Sequence, residues 1–148
     1  MRAALLILPL ILAGCASAPG ATVEGEYARV EFIDGWARAD GDQASVGVVL
    51  ALTGMKDARG TVLGAVEVRT ASGSLDLNAM HPERLFEYPG IQNGERSEVT
   101  IERVVTTGGT ALSPWKALTV TVAHDGEYEL ERLEEVHVPL PRGFPRTP

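Results

Sequence analysis

The chain has 148 residues, 45% of them hydrophobic and 22% charged, with a formal net charge of −7. That length supports one domain with its own core. The acidic balance argues against nucleic acid or an anionic surface as partner, and a single cysteine excludes a disulfide framework.

Arg2 opens the chain with a positive charge, and Ala3 to Leu12 follow as an apolar run interrupted by Pro9. The run is well short of the roughly 20 apolar residues that span a bilayer. It fits a signal peptide over residues 1–14, which stands apart from the fold. Leu12-Ala13-Gly14-Cys15 then resembles the lipobox of bacterial lipoproteins. The resemblance implies cleavage before Cys15, a diacylglycerol on its thiol and a further fatty chain, such as palmitate, on the freed amine. Several buried chains, at about 0.8 kcal/mol per methylene, hold a protein on the bilayer where one chain binds reversibly. Ala16, not Asp, follows the cysteine. That resembles the outer-membrane sorting pattern of Gram-negative lipoproteins and implies the periplasmic face of that membrane. Lipidation of Cys15 leaves no free thiol for catalysis or metal binding.

Residues 15–22 are small and contain Gly and Pro, as in a flexible tether. Residues 23–140 read as an all-β sandwich of seven to eight short strands. Ala28, Val30 and Phe32 alternate with Arg29 and Glu31, and Val46 to Leu52 is an apolar run suited to a strand buried on both sides. Strands are expected over Thr61 to Arg69, Ser74 to Leu77, Glu98 to Val105, Ala117 to Ala123, Glu127 to Leu133 and Val136 to Leu140. Turn signals separate most of them, among them Asp40-Gly41-Asp42, Asn93-Gly94 and Asp125-Gly126. At the last of these a three-residue loop, His124-Asp125-Gly126, pairs Val122 with Tyr128 and Val120 with Leu130. This register puts His124 at a solvated tip. Residues 141–148 contain Pro141, Pro145 and Pro148 and read as an extended tail.

Asp34-Gly35-Trp36-Ala37-Arg38-Ala39 resembles the opening motif of the PCu(A)C-type periplasmic copper chaperones. Val46-Gly47-Val48-Val49-Leu50, Val62-Leu63-Gly64-Ala65 and Ser74-Leu75-Asp76-Leu77 look like that family's next segments, so the resemblance covers about residues 28–80. It implies a cupredoxin-like Greek-key sandwich that binds Cu(I) through His and Met side chains, soft or borderline ligands suited to that ion. Carried over by position, the family's first His falls on Asn78, while Met80 and His81 lie beside it. Its second His and Met would fall in Ser113 to Val120, where this sequence has Pro114-Trp115-Lys116-Ala117-Leu118-Thr119 and neither residue type.

No Cys-x-x-Cys, His-Glu-x-x-His, phosphate-binding loop or Gly-x-Ser-x-Gly elbow is present, and no enzyme activity is expected. Glu127, Glu129, Glu131, Glu134 and Glu135 read as a solvated face, with His137 pointing to water beside them. Trp36 is expected in the core and Trp115 at a buried end of the sandwich. Leu85-Phe86-Glu87-Tyr88-Pro89, in a long loop, is the first location for a partner surface. Two functions stay open. One is a tethered, non-catalytic binding module for another envelope protein, without cofactor. The other is a Cu(I)-handling protein that uses Met80 and His81.

Overall fold

Alternation of apolar and polar residues decides which face each strand buries. The computed structural model of the protein describes residues 21–56, 60–78, 90–106, 108–126 and 130–148. In chain order the elements are β1 (Thr22–Glu24), β2 (Ala28–Asp40), β3 (Gln43–Gly54), β4 (Gly60–Thr70), β5 (Gly73–Asp76), β6 (Arg96–Val105), a short helix α1 (Gly108–Leu112), β7 (Trp115–Asp125) and β8 (Arg132–Pro139). One antiparallel sheet has the order β1-β2-β3-β6 and the other β5-β4-β7-β8. The connections β3 to β4, β5 to β6 and β6 to β7 cross between the sheets, as Greek-key sandwiches require. The expected all-β sandwich is the fold observed.

The core lies between the sheets. Val30, Phe32, Val46, Val48, Leu50 and Leu52 meet Leu63, Val66, Val68, Leu118, Val120 and Val136, all nearly or fully buried. Strand β3 is covered on its outer side as well. Ala51 sits in register between Glu31 and Glu98, and Arg96 bonds both carboxylates at 3.2 Å. These contacts leave Ala51 fully buried. Two turns use glycine as the sequence suggests: Gly41 and Gly94 have φ of 64° and 82°, the left-handed region open to a residue without Cβ.

Trp36 departs from expectation. The alternation Val30, Phe32 would carry it inward, but a register shift between Phe32 and Asp34 inserts one residue and exchanges the faces beyond it. Ala37 therefore points into the core, and the Trp36 indole lies outside against Gly47, where an added Cβ would come within 2.1 Å of Cε2. Trp115 is buried as expected. Its Nε1 donates to the Ala111 carbonyl of α1 at 2.9 Å, and its ring fills the space beside Gly35.

The loop joining β7 and β8 is longer than expected. Val120 pairs with Val136 and Val122 with Glu134, while Leu130 is 86% exposed and Leu133 68%. Residues 127–129 lie outside the described residues. The apolar pair Val136 and Val138 is in phase with Val120 and Leu118, and it takes the inner face that the shorter loop would have assigned to Tyr128 and Leu130.

Both ends of the domain meet the edge of β2. Strand β1 begins at Thr22, inside the expected tether, and pairs with Arg29, Val30 and Glu31. That leaves the second half of β2 open, and residues 141–148 fold back onto it instead of trailing away. Arg146 donates its N–H to the Gly35 carbonyl at 2.9 Å and accepts one from Ala37 at 3.0 Å. Its guanidinium bonds both oxygens of Asp34 at 2.9 and 2.7 Å, which raises the arginine pKa further. Phe144 packs edge-on against Phe32 with ring centroids 4.9 Å apart.

Candidate functional site

Asn78 holds the position that the resemblance assigns to a copper-binding His, and its side chain is engaged elsewhere. It is only 6% exposed. Its Oδ1 accepts the Val66 N–H at 3.2 Å, and its Nδ2 donates to the Gly64 carbonyl at 3.2 Å. Gly64 lies in a register shift of β4 between Leu63 and Ala65, where the ladder to β7 skips one residue. A bulge leaves backbone groups without strand partners. The Asn78 carboxamide supplies one acceptor and one donor from the same fork, and its own N–H is held by Asp76 Oδ1 at 2.8 Å.

The segment that would carry the second ligand pair is used for packing. Trp115, Leu118 and Val120 are all buried, and Leu118 and Val120 lie in register with Val68 and Val66. Trp115 pairs with Thr70. Asn78 bonds β4 at Val66, level with Val120 at one end of that segment, while Trp115 near the other end lies four residues further along β4. Met80 and His81 lie outside the described residues, as do Cys15 and the Leu85 to Pro89 stretch. Among the described residues no group of three or more His, Cys, Asp or Glu is placed to hold a metal ion.

A polar cluster forms at the end of the sandwich where β1, β4 and β7 meet. His124, expected at a solvated turn, is 5% exposed. Its Nδ1 lies 2.9 Å from Thr61 Oγ1, and its ring stacks on Tyr27 with centroids 4.2 Å apart. Lys56 Nζ sits 5.4 Å above the other aromatic, Tyr27, and bonds Glu26 at 2.9 Å. The Lys56 hydrogen bond and charge lower the Glu26 pKa. Glu134, expected on a solvated face, reaches across from β8. Its two oxygens accept the N–H groups of Glu26 at 2.6 Å and Tyr27 at 3.0 Å. Gly25 makes room for it, since a Cβ there would lie 2.5 Å from Glu134 Oε1. The sequence did carry a signal for His124, because it is in phase with the inward residues Val120 and Val122. Glu131, Glu135 and His137 are exposed as expected, and Glu127 and Glu129 lie outside the described residues.

The cluster closes one end of the sandwich. The His124 ring is held on one nitrogen by Thr61 and on one face by Tyr27, an arrangement for packing and hydrogen bonding. In comparisons with known proteins, no family model and no curated sequence matches the chain.

Proposed function

We propose that this chain is a lipid-anchored protein of the bacterial envelope whose β-sandwich serves as a non-catalytic binding module. In this reading Cys15 carries the lipid, the domain faces the periplasm from the outer membrane, and its partner is another envelope protein. The copper site of the family that the sequence resembles has been given over to structure. The observation behind this is Asn78: its carboxamide holds the Gly64 carbonyl in the β4 bulge and the Val66 N–H two residues on, and Trp115, Leu118 and Val120 of the corresponding second ligand region are packed core.

A Cu(I) titration against a competing chelator tests the reading, using residues 15–148 with Cys15→Ser. Binding no tighter than that of an unrelated β-sandwich is expected. Sub-micromolar binding that disappears in Met80→Ala and His81→Ala would overturn the loss of the site and establish the metal-handling function instead. For the anchor, Cys15→Ala is expected to move the protein from the membrane fraction to the soluble periplasm. Retention on the membrane would refute it.

A further inference from the structure

The longest sheet edge in the sandwich belongs to β6, which has ten residues. Among the described residues no strand pairs with its outer side. The other edges are shorter or occupied. Strands β1 and β5 have three and four residues, and β8 ends in Pro139 and is clasped to the β1–β2 turn through Glu134.

The backbone of β6 is set out for a partner. The Gly54 N–H donates to the Glu95 carbonyl at 3.0 Å, so that carbonyl and the backbone groups of the alternate residues Ser97, Val99 and Ile101 face β3. Arg96, Glu98, Thr100 and Glu102 therefore present their N–H and C=O groups to the open side. Their side chains stand on the outer face, and all four residues are exposed. A long edge of this kind is a template for another strand unless something blunts it.

We propose that β6 is the contact through which two copies of this chain pair, antiparallel, about a two-fold axis at Val99. The charge pattern selects that register. An axis perpendicular to the sheet keeps outer residues opposite outer residues, so only shifts of two positions along each strand need comparison. With Thr100 on the axis, Glu98 faces Glu102 of the second copy. With Glu98 or Glu102 on the axis, that carboxylate faces itself. An axis at Ile101 pairs no opposite charges, and an axis at Ser97, which sets Arg96 against Glu98, pairs only three residues of each strand. With Val99 on the axis, Arg96 faces Glu102 twice, once in each direction, and Glu98 faces Thr100. Opposite charges directly across an antiparallel pair stabilise it and like charges oppose it.

Two further observations agree with this register. Among the described residues, Glu102 has no ion-pair partner within its own chain. Among the described residues the one buried side-chain nitrogen or oxygen without a hydrogen bond is Arg103 Nε, whose neighbouring Nη1 donates to the Glu102 carbonyl at 2.8 Å, and Val99 on the axis places Arg103 opposite Glu95 of the second copy. One pair of strands buries little area, so the contact is weak in free solution. Confinement of both copies to one membrane surface raises their effective concentration without any new contact.

The test uses residues 15–148 with Cys15→Ser, so that any introduced thiol is the only one. Sedimentation equilibrium is expected to show a mass rising toward twice that of the monomer as concentration approaches the millimolar range. Glu102→Arg, which sets Arg against Arg96, is expected to weaken association at least tenfold. Under mild oxidation Val99→Cys should give a disulfide-linked dimer, because facing residues on the axis come within bridging distance. Glu102→Cys should not, since in this register the two copies of residue 102 lie roughly 20 Å apart. Far-UV circular dichroism establishes that each variant is folded. A monomer at every concentration, equal association in Glu102→Arg, or cross-linking through Glu102→Cys in place of Val99→Cys would each overturn the proposal.

Discussion

Asn78 shows how a single side chain can look like a vacated ligand in the sequence and have a full structural role in the fold. Its position was legible from the neighbouring motif. Its work was not, because the bulge it serves lies fourteen residues earlier at Gly64 and leaves no local mark. Asn78→Ala is expected to strand the buried Val66 N–H and the half-buried Gly64 carbonyl and cost about 2 kcal/mol, read from urea unfolding. Asn78→His is expected to cost a similar amount, because an imidazole carries its donor and acceptor on opposite sides of the ring. A His variant as stable as the parent would show that the carboxamide fork does not matter. Glu26 allows a test by pH. Its pKa is lowered in the folded chain by Lys56, so its contribution is present above the unfolded carboxylate pKa and is lost as pH falls through the folded value. Lys56→Met is expected to move the Glu26 midpoint upward in a carboxyl NMR titration, with little effect on global stability because the pair is exposed. An unmoved midpoint would remove Lys56 as the cause. Trp36 and His124 illustrate opposite kinds of legibility. His124 follows the simple alternation of β7, whereas Trp36 was sent to the other face by a bulge that its own segment does not announce.

At the level of elements, most strands could be read because apolar alternation is local. The β7–β8 pairing could not, because two apolar sets followed the turn at the same period. Tyr128 with Leu130 and Val136 with Val138 each satisfied the rule. The choice fell to the set that reaches deeper into the sandwich, where Val136 and Val138 are almost completely buried. The tail departs from expectation for a related reason. Its prolines rule out a regular strand, yet Arg146 alone supplies the N–H and C=O that the open half of β2 needs. Removing residues 143–148 is expected to cost about 2 kcal/mol, from the Phe144 contact and the hydrogen bonds together. The Arg146–Asp34 pair itself is exposed and adds little. Thermal unfolding measures the loss, and Trp115 fluorescence should report it, since the Trp115 N–H donates to the Phe144 carbonyl at 2.9 Å. A change under roughly 0.5 kcal/mol would mean that the tail is merely laid on the surface.

For the whole molecule, the class of fold was legible and its strand order was not, because order depends on which connections cross between sheets. The proposed anchor rests on a short contiguous motif, Leu12 to Cys15, and so needs no fold to be read. The clasp of Glu134 on the Gly25 to Tyr27 turn bears on mechanics. Any load transmitted through residues before Ala21 enters the domain at β1. A pull along the sheet shears all the β1–β2 hydrogen bonds at once, while a pull across it opens them one by one. Once these three residues are free, the next resistance is the Glu134 carboxylate, which ties the turn to the opposite sheet. The domain thus has a short release segment, β1, backed by a stop at Glu134.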